Sequence, residues 1–89
     1  MVVKPGFQRA YSRLTESEHD LVKKSLRILQ RYFKTGQAPI GLGLKKLGSG
    51  VYEFRAGFAL RGVYVEEGQT VVLALLGTHD EVRRFLRHS

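Results

Sequence analysis

The 89-residue sequence contains no cysteine, which excludes disulfides, thiolate metal sites and a cysteine nucleophile, and which fits a reducing compartment. No apolar run approaches the roughly 20 residues that a membrane-spanning helix requires. The opening stretch MVVKPGFQRAY lacks the apolar centre of a secretion signal, so the expectation is a soluble, cytoplasmic protein. Prolines number only two, against a hydrophobic content of 43%, and this composition excludes wholesale disorder. Acidic side chains are also scarce. Eight Asp and Glu stand against fifteen Lys and Arg, leaving a formal charge of +7 and an expected attraction to polyanions that weakens steeply with salt. Nucleic acid, an acidic protein and an anionic membrane all match that sign.

A chain of this length holds one domain, spanning residues 1–89, that buries about 60% of the surface its unfolded form exposes. Phe7, Ala10, Tyr11 and Leu14 are spaced for a short helix after Pro5 and Gly6. Thr15 and Glu18 then have the spacing of a capping box, which predicts a second helix. Its rows Leu21, Ser25, Ile28, Tyr32 and Val22, Leu26, Leu29, Phe33 form one wide apolar face, and Gly36 is placed to end it. That face is needed to cover a sheet, which argues against a membrane-surface role. His19, on the same helix, reads as a surface residue.

Residues 37–50, QAPIGLGLKKLGSG, read as a connector, and from Val51 the period turns from helical to alternating. Tyr52 and Phe54 share one face of VYEFR and Glu53 and Arg55 the other; in LRGVYV, Leu60, Gly62 and Tyr64 oppose Arg61, Val63 and Val65. Arg55 and Arg61 are therefore expected on the uncovered face. TVVLALL is apolar throughout and predicts a strand covered on both sides. Thr78 and Glu81 repeat the capping-box spacing ahead of a short helix that buries Val82, Phe85 and Leu86. The expected fold class is α+β: an N-terminal helical hairpin on a small antiparallel sheet of three or four strands, the fourth a short leading strand at Val2 and Val3, with a C-terminal helix.

The glycines of GLGLKKLGSGVYEFR do not make a phosphate loop, which needs a preceding strand, a following helix and a Gly-Lys-Ser/Thr ending. Here a helix precedes and a strand follows. In order, Leu44, Lys45, Leu47, Gly50, Tyr52, Glu53 and Arg55, then Arg61 and Tyr64, then VVLALLGTHDEV, resemble the RelE/ParE toxin superfamily and within it the RelE and YafQ branches. The resemblance covers the chain from Phe7 onward. It implies the toxin of a toxin–antitoxin pair, a ribosome-dependent mRNA endonuclease that works by ribose 2′-hydroxyl attack without metal or cofactor. It further implies a cognate antitoxin, mRNA in the ribosomal A site as substrate, and contact with DNA only through the antitoxin complex.

Carried over by position, the resemblance assigns Arg61 to the scissile phosphate, Arg55 to the neighbouring strand position, and His79 to acid or base catalysis. Such a reaction needs a base for the 2′-hydroxyl, cations for the phosphorane and an acid for the leaving oxygen. Lys45, Lys46, Arg83, Arg84 and Arg87 read as an RNA-facing or ribosome-facing surface. Asp80 and Glu81 read as first-turn acids favoured by the helix dipole. Two departures stand out. Arg83 occupies the position one turn after His79 where many relatives carry an aromatic, and Glu53 stands where some carry lysine, thinning the cationic cluster. Two other functions therefore remain open: a ParE-like inhibitor of DNA gyrase, and a catalytically weak protein of the same fold that binds an antitoxin or nucleic acid.

Overall fold

The computed structural model describes residues 1–87. The elements run β1 (Val2–Val3), α1 (Pro5–Ser12), α2 (Glu16–Thr35), β2 (Lys45–Gly48), β3 (Val51–Arg55), β4 (Leu60–Glu67), β5 (Thr70–Thr78) and α3 (His79–Arg87). One sheet has the order β1-β5-β4-β3-β2, antiparallel except for β1, which runs parallel to β5. The α+β class matches the sequence, but the sheet has five strands and is mixed.

The fifth strand has a local cause. The supposed connector contributes β2, whose Lys45 and Lys46 pair with Glu53 and Tyr52 before an irregularity at Gly48. It is a four-residue edge strand, and charged residues suit an exposed edge. The first helix begins two residues earlier than the apolar spacing indicates, because Pro5 supplies the first helical position with its fixed φ.

At the start of α2 the Thr15 hydroxyl accepts from the Glu18 amide (3.2 Å) and Glu18 accepts from the Thr15 amide (2.9 Å), completing the capping box. Gly36, in the left-handed region, ends the helix with its amide on the Tyr32 carbonyl. His19 is not a surface residue. It is half-buried, its ring lies 4.5 Å from that of Tyr11, and its Nε2–H donates to the Tyr11 carbonyl, fastening α2 to the end of α1.

The main core lies between the helical hairpin and one sheet face, and joins Phe7, Val22 and Leu29 to Phe54, Leu60, Tyr64, Leu73 and Leu76. Tyr64 stacks on Tyr52 at 5.1 Å and meets the edge of Phe33 at 5.1 Å. Burial pushes its phenol well above the ordinary tyrosine range, so this residue of the arginine-then-tyrosine pattern serves packing rather than proton transfer. Val63, Val72 and Val82 are buried outside that cluster, where α3 packs on β4 and β5. Strand β5 is thus covered on both sides at its centre, as its composition predicts. A bulge at Ala74 shifts its register, pairing Val63 with Leu75 and Tyr64 with Leu73.

The start of α3 repeats the capping box, with Thr78 N–H to Glu81 Oε1 at 2.9 Å and Glu81 N–H to Thr78 Oγ1 at 3.2 Å. Phe85, expected in the core, is 54% exposed. Val82 is buried and Leu86, one turn further on, is half-buried, while Phe85 falls off that line. The hydrogen bond from the Thr78 amide holds the Glu81 carboxyl below its ordinary value, with the Thr78 side chain adding to the effect. A depressed carboxylate stabilises the fold above its unfolded pKa, and the contribution is lost as pH falls through the folded one. Glu81→Ala is therefore expected to lower stability by about 0.5–1 kcal/mol at neutral pH. In urea titrations the difference from wild type should shrink as the solution becomes acidic.

Candidate functional site

Cross-strand register builds the site. Arg55 lies opposite Arg61, and Arg61 lies opposite Gly77, so three adjacent strands present one row at the same level of the sheet. Phe54, Gly62 and Tyr64 take the core side, so alternation puts Glu53, Arg55, Arg61 and Val63 on the face that carries α3. The row is about 10 Å wide, two inter-strand spacings. Two residues beyond Gly77 the chain enters α3 at His79. Topology thus gathers the three residues assigned to catalysis at one end of one face.

Arg61 is held rather than free. Its Nη1 donates to the Leu60 carbonyl at 3.0 Å and reaches the Phe58 carbonyl at 3.5 Å, while Nε lies 3.8 Å from Glu53 Oε1. Both side chains are largely covered, at 21% and 13% exposure, so this pair sits in a less screened setting than a surface salt bridge. Glu53, read from sequence as thinning the cationic cluster, also stands against Arg61, a contact the sequence reading did not include. The signal was present in the alternation, which put Glu53 on the same face two residues along the strand from the arginine row.

Arg55 is exposed and has no carboxylate partner among the described residues. Its stem and Nε lie over Gly43, where a built Cβ would approach Nε to 3.1 Å, and its backbone amide donates to the Leu42 carbonyl at 2.7 Å. His79 is exposed at the first turn of α3. The adjacent lysines separate: Lys45, paired with Glu53, belongs to the arginine face, while Lys46, paired with Tyr52, belongs to the other. Both are exposed at the sheet edge.

On α3, positions 79, 83 and 87 follow one another at one-turn spacing, so His79, Arg83 and Arg87 share a flank. Asp80, Arg83, Arg84 and Arg87 border a surface depression of about 740 Å³ beside Leu86. His88 lies outside the described residues. Among those described, no cluster of three or more His, Asp or Glu side chains is arranged to hold a metal ion. No helix is long and apolar enough to cross a membrane.

No protein-family model and no curated protein sequence matches the chain. Solved structures do. A chain of the RelB–RelE antitoxin–toxin complex from Methanococcus jannaschii superimposes with a TM-score of 0.71 at 11% identity, over 96% of this chain and 98% of that one. One from the YoeB–YefM complex of Staphylococcus aureus gives 0.63 at 26% identity, over 88% and 93%. A conserved hypothetical protein from Helicobacter pylori, solved in solution, gives 0.58 at 19% identity, over 91% and 94%. End-to-end overlap with these chains, together with the β1-β5-β4-β3-β2 sheet beneath a helical hairpin, identifies the fold as that of the RelE-like toxin superfamily.

Proposed function

We propose that the protein is the toxin of a toxin–antitoxin pair and that it cuts mRNA in the ribosomal A site. The observation that carries this reading is the row Arg55–Arg61–Gly77 on the α3 face, with Glu53 against Arg61 and His79 just beyond the row. Two guanidiniums in that row suit a phosphodiester, since arginine presents donors in a planar fork that matches phosphate oxygens. They also neutralise the charge that builds on the phosphorane.

In the reaction, the ribose 2′-oxygen attacks phosphorus while the bond from phosphorus to the 5′-oxygen breaks, leaving a 2′,3′-cyclic phosphate and a 5′-hydroxyl. The 2′-hydroxyl proton goes to the Glu53 carboxylate, the acceptor beside the phosphate-holding arginine, and the His79 imidazolium protonates the leaving oxygen. His79 is exposed, which leaves it reachable by a bound chain. The partners in this reading are a cognate antitoxin and mRNA, with DNA met only through the antitoxin complex, in the cytoplasm.

Arg83 and Arg87 extend the cationic surface along the flank that starts at His79. Replacing both with glutamine is expected to weaken single-stranded RNA binding and to reduce the slope of log K against log salt by about 1.4, or 0.7 per lost phosphate contact. Fluorescence titration at several salt concentrations checks this. The function itself is tested by inducing the protein in cells and following mRNA integrity and plasmid supercoiling together. Growth arrest with cut mRNA and normal supercoiling supports the proposal. Intact mRNA with relaxed plasmid would replace it with gyrase inhibition, and intact mRNA with normal supercoiling would leave a binding protein.

A further inference from the structure

We infer that Phe58 is a stacking platform for the nucleobase beside the scissile phosphate and gives the cutting reaction a preference for a purine there; the inference rests on the endonuclease reading above. The ring is 99% exposed, in the turn that joins β3 to β4. Because it packs against almost nothing in its own fold, both of its faces are open to a flat partner. An exposed apolar group of this size beside other exposed apolar side chains, Ile40 and Leu21, marks an interaction site.

The turn holds the ring in place. The Ala56 amide donates to the Leu60 carbonyl at 3.0 Å and closes the turn at its base, while Gly57 takes φ +135°, a conformation that a residue with a Cβ rarely adopts. Arg61 Nη1 reaches the Phe58 carbonyl at 3.5 Å, so the guanidinium assigned to the phosphate lies against the backbone of the residue that carries the ring. An aromatic face thus adjoins a phosphate-binding cation, the combination that holds single-stranded nucleic acid.

The charge around the ring selects the same occupant. Phe58 borders a cleft of about 470 Å³ between α2 and the segment at residues 40–42, lined also by Lys24, Arg55 and Arg61 and by no acidic residue. Phosphates on either side of a stacked base meet these cations. A second copy of the chain is a poor occupant, because a two-fold contact would set the three cations against their own equivalents. A purine offers the ring the larger π surface, and stacking strength is the source of the preference.

The test uses the full chain with Phe58→Leu, which keeps an apolar side chain without a ring, and with Phe58→Tyr, which keeps the ring. The side chain is exposed, so neither change disturbs the core, and circular dichroism verifies the fold. The probe is a 12-nucleotide oligouridylate with one central 2-aminopurine, a purine whose fluorescence falls when it stacks; plain oligouridylate is the control. Wild type and Phe58→Tyr are expected to quench the probe. Phe58→Leu should lose the quenching and about tenfold in affinity, with a smaller loss for plain oligouridylate. In the ribosome reaction the same variant should flatten the preference for cuts beside a purine. Undiminished quenching and affinity with Phe58→Leu overturn the inference. So does wild-type dimerisation that Phe58→Leu abolishes, which gives the ring to a second copy, or a loss confined to an acidic peptide, which gives it to a protein. Cutting with a purine preference that ignores Phe58 removes the platform alone, whereas Phe58-dependent quenching by a protein that cuts no mRNA keeps the stacking site and removes the nuclease reading.

Discussion

Arg61→Ala is expected to lower the single-turnover rate of mRNA cutting by about 10²–10³-fold, the range seen when one preorganised donor to a developing oxyanion is removed. The loss should fall mainly on the chemical step. Arg61 is fixed before substrate arrives, by the Leu60 carbonyl at 3.0 Å and by Glu53 at 3.8 Å, so the site spends little on ordering it. Arg61→Lys keeps the charge but loses the planar fork, and only part of the rate should return. The same substitution to alanine leaves Glu53 without its counter-ion. A double-mutant cycle with Glu53→Gln therefore separates the two roles: the stability changes should couple, while either single change alone should abolish most of the cutting. If Arg61→Ala cuts at the wild-type rate, the arginine row is not where the phosphate sits.

The second large effect concerns the fold. A Cβ added at Gly62 would lie 2.3 Å from Phe54 Cζ and within 2.8 Å of both Cε atoms. Phe54 is fully buried across the strand pair and packs within the core that includes Tyr64, so its ring has no solvent to swing into. Gly62→Ala is expected to cost about 3 kcal/mol. A domain of this size has of order 5–10 kcal/mol in total, so the change removes a large share of its stability. Chemical denaturation gives the direct reading. Combining Gly62→Ala with Phe54→Leu, which shortens the ring that is struck, should cost less than the two single changes added together. A mild Gly62→Ala would mean that the ring and the strand relax more than this packing allows.

The clash at Gly62 also shows where sequence reasoning reached and where it stopped. Alternation in VYEFR and LRGVYV was enough to put Phe54, Gly62 and Tyr64 on one face and the arginines on the other, because a period of two is a local property of the chain. The capping boxes at Thr15 and Thr78 were legible for the same reason: each is closed by residues three apart. Strand β2 was not legible. Its KKLG carries no alternation of its own and becomes a strand only through pairing with β3.

Phe85 was misplaced because apolar spacing on a nine-residue helix admits two faces, and the position of α3 over β4 and β5 selects the one that buries Val82. His19 was misjudged through a contact with Tyr11, eight residues away on another helix. At the candidate site, residue types and faces could be read, but the Glu53–Arg61 contact depends on a diagonal across two strands. The open cleft at Phe58 depends on three segments meeting, and no periodicity within any one of them signals it.

The central claim is that a histidine at the start of α3 and an arginine row on the adjacent sheet face cut mRNA on the ribosome. It is tested most directly by mapping mRNA ends in a cell-free translation reaction with the purified protein, its His79→Ala variant, and wild type with ribosomes omitted. New ends that carry cyclic phosphate, require ribosomes and fall about 10²–10⁴-fold in rate with His79→Ala are the predicted result. New ends that persist with His79→Ala, or an absence of new ends with the folded wild-type protein, would contradict it.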